Sequence, residues 1–187
     1  NITKIRKFIV KKTGKNLYGS HEPPITLFVN SFQNFSDVEK QVISIVQKYK
    51  PFYAKIEGIH TFDIDQISKS YTVIYKVEKT QILSNIQKEI INKLNPIRTN
   101  DQAKWLIKQN PNHSEENIKN IDKYGYPVGP EGWIFHATIG SIPEENYKEL
   151  WNKIQKYDLT KNWLIDSISI FVHLGEDGFV LFKKYKL

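Results

Sequence analysis

The chain contains no cysteine, which removes disulfides, thiolate metal ligands and a cysteine nucleophile and leaves the redox compartment unread. Long apolar runs are missing as well. None approaches the ~20 residues that cross a bilayer, so neither a transmembrane helix nor a membrane partner is expected. No G-x-G-x-x-G or Walker A pattern occurs, and no serine nucleophile elbow, so nothing supports a nucleotide-cofactor fold or a serine hydrolase. The five histidines include no H-x-x-x-H or comparable ligand pair, so neither a metal nor another cofactor is expected. Methionine is absent too, and the first residues, Asn1-Ile2-Thr3-Lys4-Ile5-Arg6-Lys7, form no apolar leader core. The chain therefore reads as processed or trimmed at its start. A cytoplasmic monomer is the expectation.

Arginine is scarce: Arg6 and Arg98 are the only two among 27 basic residues, which outnumber 20 acidic ones for a formal charge of +7. A basic surface favours anionic partners, with nucleic acid or nucleotides foremost. The charge is carried by lysine, a point charge, rather than by the arginine forks that grip phosphate bidentately.

What is present is a folding composition, 40% hydrophobic and 13% aromatic over 187 residues. That suffices for one sizeable core or for two small lobes sharing one. Ile5, Phe8, Ile9 and Val10 suggest a first strand over residues 4–10. Two prolines, Pro23 and Pro24, close a turn before Ile25-Thr26-Leu27-Phe28-Val29, whose β-branched and aromatic residues suggest a second strand. Ser36-Asp37-Val38-Glu39 resembles a capping box, and Val38, Val42, Ile45, Val46 and Tyr49 recur at helical spacing. Residues 52–59 and 71–77 alternate as strands, and residues 80–94 carry a second amphipathic helix, ended by Asn95-Pro96.

Residues 97–132 read as a long insert. It holds two short helices, the second opened by Ser114, and the loop Tyr124-Gly125-Tyr126-Pro127-Val128-Gly129-Pro130-Glu131-Gly132. Long connectors inside a compact domain are usually functional. After it come a strand from Trp133 to Gly140, a helix over residues 143–157, a strand region over 163–174, a turn at Gly175-Glu176-Asp177-Gly178 and a last strand at 179–182. The order strand, helix, strand, strand thus appears twice, which suggests an α+β domain of two similar lobes.

The stretch with the most chemistry is Phe135-His136-Ala137-Thr138. On a strand, side chains alternate, so His136 and Thr138 share a face about 6.5 to 7 Å apart. An imidazole exchanges protons near neutral pH, and a hydroxyl donates to an anionic oxygen. The pair suits chemistry on a phosphate, although a half-buried structural histidine has the same local sequence.

Together these residues resemble the 2H phosphoesterase superfamily, which includes the 2′-5′ RNA ligase-like proteins. Its second H-x-[ST] tetrad is matched by Phe135-His136-Ala137-Thr138-Ile139, approached through Tyr124-Gly125-Tyr126-Pro127. The helix, the Pro51-Phe52 strand with Gly58 and Phe62, and the alternating strand Tyr71 to Val77 occur in the family's order. The first tetrad departs from it. The pattern H-x-T-L falls on Pro24-Ile25-Thr26-Leu27, so a prolyl ring stands where the histidine belongs. The alternative anchor, His60-Thr61-Phe62, has no hydroxyl two places on.

The resemblance implies one domain over residues 1–187, of bilobal 2H type, with two antiparallel sheets backed by helices around a central cleft. It also implies metal-independent acid–base catalysis on an RNA end, an oligonucleotide linkage or a cyclic nucleotide phosphate. In that scheme His136 and a second histidine move protons, and His21, three residues before Pro24, is the candidate replacement. Thr138 and Thr26 would bind phosphate oxygens, with Tyr126 and His60 lining the substrate site. Of the remaining histidines, His113 lies in a polar loop and His173 near the end of the penultimate strand, and neither is assigned a role.

Overall fold

Ile5 and Ile9 stand four residues apart and are fully buried, and in the computed structural model residues 2–13 are accordingly a helix, α1 (Ile2–Thr13), not the expected strand. The apolar cluster at Ile5, Phe8 and Ile9 is a helical i, i+3, i+4 stripe; the exposed Lys4, Lys7 and Lys11 lie between and beyond its members. The structure describes residues 2–14, 23–64, 69–157, 161–174 and 179–187. His21, Tyr18 and the Gly175–Gly178 turn lie outside the described residues.

The remaining helices are α2 (Phe35–Val46), α3 (Gln81–Leu94), α4 (Asp101–Gln109), α5 (Glu115–Tyr124) and α6 (Glu144–Ile154). The strands are β1 (Phe52–Thr61), β2 (Ser70–Val77), β3 (His136–Pro143), β4 (Asn162–Ile165), β5 (Ser167–His173) and β6 (Phe179–Lys186). The class is α+β, as expected. Strands β3-β2-β1-β4 form one antiparallel sheet in that order, and β5 and β6 form a second, two-stranded one. The expected strand at residues 25–29 is absent. Only Ile25 is paired, through an isolated antiparallel bridge to Ala137. Pro24 offers no N–H to a ladder, which limits pairing at that edge. The expected strand over 163–174 is broken at Asp166 into β4 and β5.

By contacts the chain divides into two compact units. The first, residues 1–25, 51–78 and 135–184, contains α1, α6 and the four-stranded sheet. Its core is Ile5 and Ile9 of α1, Ile56, Val73 and Tyr75 of the sheet, Ala137, Ile139 and Ile142 of β3, and Leu150 and Ile154 of α6. Each large apolar side chain among them contributes roughly 1.5–3 kcal/mol when fully buried. The second unit, residues 26–50, 79–134 and 185–187, contains α2 to α5. Asn34 caps α2 by accepting the Ser36 N–H at 2.9 Å, two residues before the expected Ser36 cap. Thr80 caps α3 through the Leu83 N–H, and Ser114 caps α5 through the Asn117 N–H, the last as the sequence indicates. No helix among the described residues is long and apolar enough to cross a membrane.

Two irregularities carry particular weight. The β2–β3 register shifts between Val73 and Ile74, leaving Ile139 as the extra residue on β3. Arg6 of α1 reaches this bulge, where its Nε donates to the Ile139 carbonyl at 3.1 Å and its Nη2 to the Thr138 carbonyl at 3.3 Å. Burial pushes the Arg6 guanidinium down from its ordinary value, with Tyr75 opposing. It pushes the Tyr75 phenol up, with Arg6 opposing. In the second unit, Gly125 ends α5 at φ +74, and a Cβ there would fall 2.4 Å from Asn30 Oδ1. Asn30 cannot yield freely, because its Nδ2 donates to the Tyr124 carbonyl at 2.8 Å.

These contacts set two expectations for stability. Arg6→Ala removes two charge-assisted hydrogen bonds at a bulge, and we expect a loss of about 2 kcal/mol in urea unfolding. Gly125→Ala combines left-handed backbone strain with displacement of Asn30, and a loss of about 2 kcal/mol is expected in the same measurement.

Candidate functional site

His136 opens β3, and its orientation on the sheet is fixed by the residues next along the strand. Ala137 and Ile139 are fully buried in the core of the first unit. Alternation then places His136 and Thr138 on the opposite face of the sheet, half-buried rather than enclosed. The register across three strands makes that face explicit. His136 pairs with Lys76 and Lys76 with Gly58; two residues on, Thr138 pairs with Ile74 and Ile74 with His60. Directly paired residues point to the same side. His136, Thr138, Lys76, Ile74 and His60 therefore share one face.

Several contacts shape this face. Phe62, continuing the alternation past β1, meets the His136 ring edge-on, with centroids 4.9 Å apart at 87°. Ile74, which pairs with Thr138 and His60 on this face, is 1% exposed. Lys76 Nζ lies 2.9 Å from Glu57 Oε2. Glu57 is the unpaired residue of a bulge in β1, where the register passes from Ile56 to Gly58. Gly58 itself has φ +144, and a Cβ built on it would lie 3.9 Å from His60 Nε2. The exposed His60 imidazole therefore leans along β1 toward Gly58, into the row that holds Lys76 and His136.

Pro24 neighbours Ile25, whose isolated bridge to Ala137 brings the segment after the two prolines alongside the start of β3. Thr26 and Tyr126 belong to the second unit. There the Trp133 indole N–H donates to the Thr26 carbonyl at 3.0 Å, and Tyr126 packs on Trp133 at 5.3 Å. That unit also has a polar groove of about 260 Å³ beside the start of α3, lined by Lys79, Gln81, Ser84, Lys88 and Glu131 among others. None of the expected site residues lines it.

The expected site residues thus fall into two groups, with His136, Thr138 and His60 on one sheet face and Thr26 and Tyr126 held through Trp133. Sequence reasoning misses Lys76 and Arg6. Lys76 occupies a polar position in an alternating strand, where any solvated lysine looks the same. Arg6 lies in a stretch whose composition suggests a strand. Among the described residues no three His, Asp or Glu side chains gather as a metal ion would require.

Chemically, the face offers imidazoles that exchange protons, a hydroxyl donor and an ammonium, a set suited to an anionic tetrahedral group. Comparison with curated proteins gives no match. The family model for the 2′-5′ RNA ligase superfamily matches residues 1–177. With that match over nearly the whole length, the chain belongs to the 2′-5′ RNA ligase superfamily.

Proposed function

We propose that the protein is a metal-independent phosphodiesterase of 2H type, acting on RNA ends, 2′,3′-cyclic phosphates or 2′-5′ oligonucleotide linkages. The observation that carries this reading is the shared face of His136, Thr138, Lys76 and His60, set by the β1–β2–β3 register. His136 serves as one proton-transfer group, and the Thr138 hydroxyl donates to a non-bridging phosphate oxygen. The +7 charge favours an anionic substrate. Acid–base hydrolysis needs a second imidazole, and the sequence supplies His21 and His60 as candidates.

One observation favours a second reading. Pro24, whose ring carries no exchangeable proton, holds the place of the first tetrad's histidine. A member without its acid–base partner would bind RNA or a nucleotide phosphate without turnover.

Hydrolysis of a 2′,3′-cyclic nucleotide and of a 2′-5′ oligoadenylate decides between them. Under the enzyme reading His136→Ala lowers turnover by about 10² to 10⁴-fold, with little change in thermal unfolding, since His136 is not in the core. A wild-type protein that turns over neither substrate, yet is stabilised against heat by the cyclic nucleotide, supports the binder.

A further inference from the structure

We propose that His60 and Lys76 complete the site of His136, so that a phosphoryl group sits in a histidine–lysine–histidine row across β1, β2 and β3. This rests on the phosphodiesterase reading and assigns the second proton-transfer group that reading requires. Three placements carry it. Gly58, Lys76 and His136 form one transverse row. His60 stands on the same face one row away, and its Nε2 leans over Gly58. Gly58, without a side chain and at a φ few other residues adopt, leaves that end of the row open for the imidazole.

Adjacent strands lie about 4.8 Å apart, so Gly58 and His136 are separated by roughly 9.5 Å at their backbones. Hydrogen bonds of about 2.7–3.0 Å on either side of a phosphate fit within that span. Lys76 lies between the two, and its ammonium would stabilise charge developing on the non-bridging oxygens. In the ligand-free protein this ammonium is held by Glu57 at 2.9 Å, so its position is set before substrate arrives.

For a 2′,3′-cyclic phosphate the step is a balanced hydrolysis. Water attacks phosphorus, the bond from phosphorus to one ribose oxygen breaks, and a phosphomonoester with a free ribose hydroxyl results. The water proton passes to the neutral imidazole. The protonated imidazole gives its proton to the departing ribose oxygen. The pair ends with its charges exchanged, and solvent restores them. No oxidant or further reactant is needed.

The test is kcat/KM against pH for 2′,3′-cyclic CMP with the full chain and the variants His60→Asn, His136→Asn, His21→Asn, Lys76→Met, Lys76→Arg and His173→Asn. Wild type should give a bell-shaped profile, one limb for the base and one for the acid. His60→Asn and His136→Asn should each fall by about 10² to 10⁴-fold and lose one limb. Lys76→Met should fall by about 10²-fold with both limbs kept, and Lys76→Arg should recover part of it. His173→Asn should match wild type, and His21→Asn should keep both limbs. His60→Asn within threefold of wild type, or a limb lost in His21→Asn instead, overturns the His60 assignment while leaving His136 as the phosphodiesterase residue. Full activity in Lys76→Met overturns the role of the lysine. An inactive wild type ends both the phosphodiesterase reading and this one.

Discussion

The site depends on the register of β3 against β2. Ala137 and Ile139 enter the core beside Ile5 and Ile9 of α1, and once they do His136 and Thr138 must face the other way. A slip of one residue would bury an imidazole and a hydroxyl and expose the core. Such a slip is opposed by apolar burial on one side and by Arg6 on the carbonyls of Thr138 and Ile139. Arg6 thus holds the β3 backbone from the core side of the sheet, opposite the face of the proposed site.

The same register extends the site beyond its own strand. β2 presents Lys76 beside His136 and Ile74 beside Thr138, and β1 presents Gly58 and His60 beside those. Bulges in both pairings adjust the fit. The one in β1 frees Glu57 to hold Lys76 and places a glycine where the His60 ring leans. These irregularities lie where the candidate chemistry is, as β-bulges often do. With a prolyl ring at Pro24, the proposed site draws its second imidazole from β1, on the same face of the sheet.

Much of this is legible in the sequence. The H-x-T alternation at His136 and Thr138, the helices α2, α3 and α5, and the strands β1 and β2 all emerge from period and capping residues. The failures have physical causes. Residues 2–13 hold apolar residues at helical spacing, but a short cluster of Ile, Phe and Val carries strand propensity too, and burial against β3 decides. Residues 25–29 have strand composition, yet the prolines before them leave a single bridge. His60 is legible as one of two candidate second imidazoles, but its row relative to His136 is not, because register between strands is not written in either strand alone. Lys76 is invisible for the same reason.

The central claim is that one phosphate is shared by His60, Lys76 and His136. It is tested most directly by tracking the imidazole resonances of all five histidines in ¹⁵N-histidine-labelled protein titrated with inorganic phosphate. The account predicts that His60 and His136 shift together with one apparent Kd, and that His113 and His173 stay unmoved. A response at His136 with none at His60, or a pairing of His136 with His21, would contradict it.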